Sequence, residues 1–442
     1  MRRTARALAV FLALACVLSA TALAARHRHS VVTRSHHAAP PRKAEKFEPT
    51  GPAVPDVPSP LRFRDGRLEP VTFDDLDGWR TDDHAAAFAT FLVSCRPIAA
   101  VARPPGESRP MYAALHAVCK RALHAGSLDE AAAKKFFEDN FRPARITKLG
   151  DSAGFLTGYY EPIVDGSRFP TGIFHTPIYR RPSDLLPPAG TPSGVGFPNS
   201  GQSLRRDAGG KLVPYYDRGE IEDGALDGRH LEICWVKDPT EALFIQIQGS
   251  ARVRLEDGLV VRINYDSHNG FPYTPIGRVL IDRKLVSREE MSMDRIRQWI
   301  HDNPDGANEL RRQNRAFVFF RIVGLGDGEG PLGAQGLPLT TLRSIAVDKA
   351  VHVYGTPFFI EAQLPIDTAT SKTPFRRLMI AQDTGSAIVG PARADIYWGA
   401  GKLAGTVGGR IKDHGIFTML IPREIDPVEA GAKMLMPLPR PV

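Results

Sequence analysis

From Arg315 onward the sequence alternates short apolar segments with glycine-rich corners, and no long helical pattern interrupts them. The segments predicted as strands are residues 316–323, 357–362, 378–381, 394–398 and 415–421. A sheet built from such short strands leaves unpaired edges unless it closes on itself. We therefore expect this part of the chain to form a small β-barrel.

An earlier segment supplies helices and one further strand. Helical spacing of apolar residues predicts helices over 82–95, 110–124 and 127–142, and residues 154–162 are predicted as a strand that runs into a turn. Between that strand and the later ones lies a block rich in proline, glycine and short strands, clearest at 231–236, 242–248 and 260–264. We expect this block to be inserted into a barrel domain whose strands lie on both sides of it.

The N-terminus has the order of a secretory signal. Arginines precede an apolar run from Ala7 to Leu23, and cleavage is expected after Ala24. A lipid attached at Cys16 and an uncleaved anchor are the two alternatives.

The predicted organisation is a signal at 1–24, a proline-rich linker at 25–70, helices and the first barrel strand at 71–162, an inserted β-barrel at 163–313, the remaining catalytic barrel at 314–425 and a tail at 426–442.

Composition narrows the function classes. Charged residues make up 24% of the 442 residues, which argues against disorder of the whole chain, and the net charge of +8 favours an anionic partner. No basic run interleaved with aromatic residues follows the linker, which argues against nucleic acid. No group of cysteines and histidines has metal-ligand spacing, so neither a metal nor a cofactor is predicted.

Three cysteines lie beyond the predicted signal. Cys95 and Cys119 fall on successive predicted helices, and an oxidising compartment would allow them to form a disulfide. Cys234 lies in an apolar run and is predicted to be a small buried side chain.

Two aspartates lie at the ends of neighbouring predicted strands. Asp383 leads into a glycine loop containing Gly385 and Ser386, and Asp395 begins the alternating segment that contains Tyr397. Two carboxylates flanking such a loop fit an acid/base site on a rigid scaffold. They also fit aspartates that only hold turns, which spacing alone favours, and both interpretations remain open at this point.

Two other motifs fit sugar recognition. Tyr159, Tyr160 and Glu161 combine flat rings with a carboxylate, although an ordinary strand end has the same pattern. In the segment 246–252, Gln246 and Gln248 are interpreted as amides along one face of the strand predicted at 242–248, and Gly249 and Ser250 follow that strand. Such a row suits the recognition of hydroxyl and amide groups.

Together these motifs resemble the membrane-bound lytic transglycosylase A family of bacterial peptidoglycan-cleaving enzymes. The matching segments are 157–162 (TGYYEP), 246–252, Asn269-Gly270 with Tyr273 and 276–278, and the barrel run 339–399. The last of these resembles the three-aspartate barrel module, whose acids fall here on Asp348, Asp383 and Asp395. Ser386 stands where that module usually has glycine, which changes the backbone freedom of the loop.

The resemblance implies a mainly β fold with N-terminal helices, in which a double-psi β-barrel and an inserted second β-barrel enclose a groove for the glycan. It implies cleavage between N-acetylmuramic acid and N-acetylglucosamine with formation of a 1,6-anhydro ring. Asp395 would be the acid/base and Asp383 its supporting charge. The residues that would bind substrate are Thr157, Tyr160, Glu161, Gln248, Gly249, Ser250, Asp348, Gly385, Ser386 and Tyr397.

The expected partner is the peptidoglycan glycan strand, bound by an exported monomer in the periplasm near the outer membrane. A wall-synthesis or secretion complex is left open. Two other function classes remain: a hydrolase that uses Asp395 as acid and Asp383 or Glu161 as base, and a non-catalytic wall-binding module.

Overall fold

The computed structural model describes residues 61–63, 65–101, 109–188 and 201–425. The predicted signal, most of the predicted linker and the predicted tail lie outside these residues. The strands are β1 (Leu61–Phe63), β2 (Gly66–Pro70), β3 (Phe141–Lys148), β4 (Gly154–Glu161), β5 (Ile163–Asp165), β6 (Thr176–Tyr179), β7 (Leu204–Arg206), β8 (Leu212–Pro214), β9 (Glu232–Val236), β10 (Ser250–Arg254), β11 (Val260–His268), β12 (Val318–Ile322), β13 (Ser344–Val347), β14 (Pro357–Leu364), β15 (Thr373–Asp383), β16 (Arg393–Ala400) and β17 (Lys412–Pro422).

Helices lie between these strands along the described chain. They are α1 (His84–Ala100), α2 (Pro110–Ala125), α3 (Glu130–Asn140), α4 (Arg218–Glu222), α5 (Pro239–Gln248), α6 (Ile276–Asp282), α7 (Met293–Asp302), α8 (Pro304–Arg312) and α9 (Gly401–Gly408), with 3-10 turns at Phe73–Asp75 and Trp79–Thr81. Within the described ranges, no helix has both the length and the apolar character needed to cross a membrane.

Six strands close into a barrel in the order β17-β14-β15-β13-β16-β4, and β4 pairs back onto β17. The pairs β13–β15 and β16–β4 are parallel, and the other pairs in the ring are antiparallel. Its interior is apolar and includes Leu156, Ala394, Ile396 and Trp398. The predicted barrel with N-terminal helices is therefore confirmed.

Helices α1 to α3 cover the outside of the barrel. Aromatic rings dominate the contact: Phe88, Phe91, Phe137 and Phe359 are buried in one cluster with the helices. Burying each such ring stabilises the fold by about 1.5–3 kcal/mol. A disulfide between Cys95 and Cys119 joins α1 to α2 in the same cluster.

The inserted block forms a second ring of strands. A sheet in the order β12-β11-β10-β5 lies beside the ribbon β6–β9. Bridges between Ser167 and Trp235, and between Arg180 and Phe320, join the ribbon to the two edges of that sheet. The ring encloses its own apolar core, which includes Val236, Ala251 and Ile263.

Three predictions from the sequence need correction, two of domain boundaries and one of secondary structure. Residues 66–70, assigned to the linker because of nearby prolines, form β2 and pair with β3. The strand predicted at 316–323 was placed in the catalytic barrel, but β12 pairs with β11 and belongs to the insert. The strand predicted at 242–248 is helix α5.

Helix α5 has strong start and stop signals. Asp238 accepts hydrogen bonds from the backbone N–H groups of Thr240 and Glu241, and Pro239 occupies the first turn. Gly249, at φ 78°, ends the helix in the left-handed conformation that glycine adopts without strain. The alternation of glutamine and isoleucine suggested a strand, but these caps decide the structure.

Two arginines hold both connections between the barrel and the insert. Glu161, at the end of β4, accepts hydrogen bonds from Arg252 Nε at 2.7 Å and Arg262 Nη2 at 2.8 Å. The same arginines donate to the backbone carbonyls of Gly326, Asp327 and Glu329 on the returning segment. Both chain segments that connect the barrel to the insert therefore contact one buried ion-pair cluster.

Candidate active site

The barrel's outer face carries a row of polar and aromatic side chains. Along β4 and β16, alternate residues point into the apolar core, so the residues between them point outward. The parallel register pairs Phe155 with Arg393, Thr157 with Asp395, and Tyr159 with Tyr397 on this outer face.

Asp395 is held through one of its two oxygens. Its Oδ1 accepts a hydrogen bond from the Thr157 hydroxyl and another from Arg393 Nη1 at 2.5 Å. Arg393 Nη2 also donates to Thr157 Oγ1 at 2.7 Å, which fixes the hydroxyl. Within the described part of the chain, Asp395 Oδ2 has no hydrogen-bond partner. This oxygen is available to a ligand.

The surroundings of Asp395 favour the protonated carboxyl. Only 20% of its side chain is exposed, and burial raises its pKa above the usual value because a desolvated carboxylate is disfavoured. The guanidinium of Arg393 opposes this shift, but the pKa remains raised. A neutral carboxyl with a free oxygen is the form that can donate a proton.

Asp383 lies at the end of β15 with both oxygens occupied. Oδ1 accepts hydrogen bonds from the backbone N–H groups of Thr384 and Ala334, each at 2.8 Å, and Oδ2 accepts one from the Tyr159 hydroxyl at 2.9 Å. Burial raises the pKa of Asp383, these three donors oppose the shift, and the charge of Asp395 adds to it. The two aspartates are thus electrostatically coupled.

The third aspartate of the module, Asp348, holds a turn. Its oxygens accept hydrogen bonds from the backbone N–H groups of Ala350 at 2.9 Å and Gly390 at 2.8 Å. It thereby fixes the loop that leads into β16. Gly385 and the exposed Ser386 lie in the loop that follows Asp383.

Several residues expected to bind sugar already contact protein groups. Glu161 is buried between its two arginines. Gln248 accepts a hydrogen bond from the Tyr160 backbone N–H at 2.9 Å, and Ser250 is buried in the β10–β11 ladder. Gly249 caps α5. A sugar contact by the side chain of Glu161 would require an arginine to be displaced, whereas Gln248 is largely buried and positions the Tyr160 backbone.

Tyr160 and Tyr397, also expected at the substrate, are buried. The Tyr160 hydroxyl accepts a hydrogen bond from Arg297 at 3.1 Å, and the Tyr397 ring lies 5.4 Å from that of Tyr159, between centroids. Sequence reasoning missed Arg393 as a site residue, and it interpreted Tyr159 as a sugar-stacking ring without predicting its contact with Asp383. Period-2 alternation from Asp395 and Thr157 is the signal that could have found both.

Comparison with known proteins matches both halves of this architecture. Residues 155–321 match the MltA specific insert domain, and residues 343–421 match the 3D domain. Membrane-bound lytic murein transglycosylase A of Vibrio cholerae is 31% identical over 272 residues, which is 60% of this chain and 65% of that protein. The alignment thus spans just under two thirds of that curated relative's length.

Solved structures extend the match to most of the chain. The structure of E. coli MltA with bound chitohexaose matches 82% of this chain and 93% of that chain, with a TM-score of 0.57 and 26% identity. The membrane-bound lytic murein transglycosylase from Agrobacterium tumefaciens matches 80% of this chain and 98% of that chain, with a TM-score of 0.71 and 36% identity. With this identity and coverage, and with insert and 3D domain in the same chain, the protein belongs to the membrane-bound lytic murein transglycosylase A family.

Proposed function

We propose that this protein is a peptidoglycan lytic transglycosylase that cleaves the β-1,4 bond between N-acetylmuramic acid and N-acetylglucosamine. The observation that carries the proposal is the state of Asp395: a partly buried carboxyl with a raised pKa, anchored by Oδ1 and free at Oδ2. That geometry suits a single group that first gives a proton and then takes one back.

In the first step the Asp395 carboxyl, through Oδ2, protonates the glycosidic oxygen, and the bond from that oxygen to the muramic C1 breaks. In the second step the resulting carboxylate removes the proton from the muramic C6 hydroxyl. The C6 oxygen then bonds to C1 and closes the 1,6-anhydro ring. The proton lost by Asp395 is regained, and no water is consumed.

Arg393 and Thr157 stabilise the intermediate carboxylate. Both donate to Asp395 Oδ1, so the charge formed after proton transfer is met by donors that are already in place. Burial keeps the pKa raised despite this help, which favours the protonated acid at the start of the cycle.

A hydrolase would need a second carboxylate to activate water. Asp383 has both oxygens engaged by three donors, and Glu161 is buried between two arginines. Glu161 is only 1% exposed, which restricts the access of water, and the three hydrogen bonds donated to Asp383 lower the basicity of its carboxylate. This arrangement favours intramolecular ring closure over hydrolysis.

We further propose that the glycan strand lies across the outer face of β4 and β16, beside the insert, and that the enzyme acts outside the inner membrane. The relative solved with chitohexaose binds a sugar oligomer. The relatives' names describe membrane-bound enzymes, and the signal expected at residues 1–24 agrees with export.

The deciding experiment is mass analysis of products from purified murein sacculi. We expect wild-type protein to release muropeptides with 1,6-anhydro ends and Asp395→Asn to release almost none. Products with only reducing muramic ends would identify a hydrolase. Binding to sacculi without any released product would identify a wall-binding module.

A further inference from the structure

A cavity of about 600 Å³ adjoins the catalytic row and has no role in the mechanism above. It is lined by residues 150–155 of the β3–β4 turn, by residues 389–393 before β16, and by Lys148 and His414. The titratable side chains around it are Lys148, Asp151, Arg393 and His414. Lys148 and Arg393 line the cavity against the single carboxylate of Asp151, so its lining carries one more cation than anion.

The strand register fixes how the cavity relates to Asp395. Phe155 pairs with Arg393 on one side and with His414 on the other, forming one row on the outer face. The next row on that face pairs Thr157 with Asp395. Two residues along a strand correspond to about 6.6 Å, so the cavity begins one row away from the proposed acid.

Arg393 belongs to both rows. Its guanidinium donates to Asp395 and Thr157, and its carbon Cζ lies 5.3 Å from the centre of the Phe155 ring, which lines the cavity. Only 15% of the Arg393 side chain is exposed. A largely buried guanidinium whose neighbouring carboxyl favours the protonated form attracts another anion.

We propose that this cavity binds the carboxylates of the peptide stem attached to the muramic acid whose glycosidic bond is cleaved; the proposal rests on the function proposed above. The stem leaves the sugar through the lactyl group on C3, close to the reacting C1, and it carries free carboxylates. Lys148 supplies positive charge at the rim, and the Phe155 ring with the exposed Val389 supplies apolar contact. A glycan built only from N-acetylglucosamine has no peptide stem, and therefore no carboxylate for this cavity to bind.

The test compares two substrates that differ only in charge: stem-bearing glycan strands, and the same strands with their carboxylates converted to amides. The measured quantity is the ratio of kcat/KM for the native strands to kcat/KM for the amidated strands. We expect wild type to prefer the native strands. We expect Lys148→Gln to lower this ratio about 2- to 5-fold, as for loss of one exposed ion pair, and Lys148→Glu to lower it further.

Lys120→Glu, a charge reversal on the exposed face of α2 away from the cavity, is the matched control and should leave the ratio unchanged. The wild-type ratio should also fall as ionic strength rises. Thermal unfolding midpoints equal to wild type confirm that the variants are folded.

The outcomes separate this site from the proposed function. If wild type cleaves neither substrate, the proposed function fails, and this site with it. If wild type cleaves both equally well, or if both Lys148 variants keep the wild-type ratio, the stem site alone is wrong. Equal losses on both substrates would assign the cavity to the sugar chain and would also overturn the stem site.

Discussion

The Tyr159 hydroxyl donates a hydrogen bond of 2.9 Å to Asp383 Oδ2, and the Tyr159 ring lies 5.4 Å from that of Tyr397. One aromatic side chain therefore connects the outer row of β4 and β16 to the second aspartate at the end of β15. Burial raises the pKa of the tyrosine well above its usual value, and the charge of Asp383 adds to the shift, so Tyr159 remains a hydrogen-bond donor.

Tyr159→Phe should reduce kcat/KM about 5- to 10-fold, because it removes one hydrogen bond to Asp383 worth about 1 kcal/mol and loosens the aspartate pair. The matched control is Tyr112→Phe, which removes a hydroxyl from α2 on the helical side of the barrel and should change activity by less than about twofold. Equal effects of the two changes would show that Tyr159 has no specific role.

Asp395→Asn should reduce turnover by ~100- to 10,000-fold, because the amide keeps the shape but cannot exchange a proton. Asp395→Glu should restore little, since an added methylene moves the proton away from the glycosidic oxygen. Release of anhydro-muropeptides is the measurement, with circular dichroism to verify folding. Near-normal turnover by a folded Asp395→Asn protein would refute the proposed mechanism.

Asp383→Asn should cost less activity and should shift the pH profile. The charge of Asp395 raises the pKa of Asp383, and because electrostatic repulsion is reciprocal we expect an ionised Asp383 to favour protonation of Asp395. With Asp383 neutral, the pKa of Asp395 falls, so the pH above which kcat/KM declines should move downward. A profile with an unchanged alkaline limb would argue against electrostatic coupling.

Arg393→Gln should move the alkaline limb of the pH profile of kcat/KM upward, opposite to the shift expected for Asp383→Asn. The Arg393 guanidinium lowers the pKa of Asp395 against the dominant effect of burial, so its removal should raise that pKa and extend activity to higher pH. The maximal rate should fall nonetheless, because one donor to the intermediate carboxylate is lost. Opposite shifts in Arg393→Gln and Asp383→Asn would be difficult to explain by general loosening of the site.

Glu161→Gln should lower the free energy of unfolding by about 3–5 kcal/mol, because it leaves two guanidiniums without their shared buried carboxylate. Asp165→Asn is the control: it breaks a solvent-exposed pair with Arg254 and should cost about 0–1 kcal/mol. Urea unfolding measures both. A Glu161→Gln protein as stable as the control would show that the cluster contributes little to joining the barrel and the insert.

Local patterns in the sequence were sufficient to predict the barrel. Period-2 alternation and glycine corners identify β15 and β16, and with them the two aspartates. The same local reasoning failed at α5, because a short run of glutamine and isoleucine fits both the helical and the strand periodicity. Only the flanking Asp238, Pro239 and Gly249 distinguish helix from strand there.

The hydrogen-bond partners of the two aspartates could not be predicted from local sequence patterns. Thr157 and Asp395 are separated by 238 positions, and Tyr159 and Asp383 by 224. Their contacts depend on the parallel register of β4 with β16, which no short window of sequence specifies. Glu161 was interpreted as a sugar ligand because its two arginine partners lie far away in the sequence, on strands of the insert.

The position of β4 in the closed ring has a consequence for how the molecule matures. This strand precedes the insert, yet both of its neighbours, β16 and β17, lie near the end of the described chain. The ring can close only after the intervening residues have been synthesised, and contacts of such long range form slowly. Thr157 and Asp395 therefore meet only after β16 has been made and has paired with β4. Until then Asp395 lacks the hydroxyl that holds its Oδ1, so the site that contains it forms late in folding.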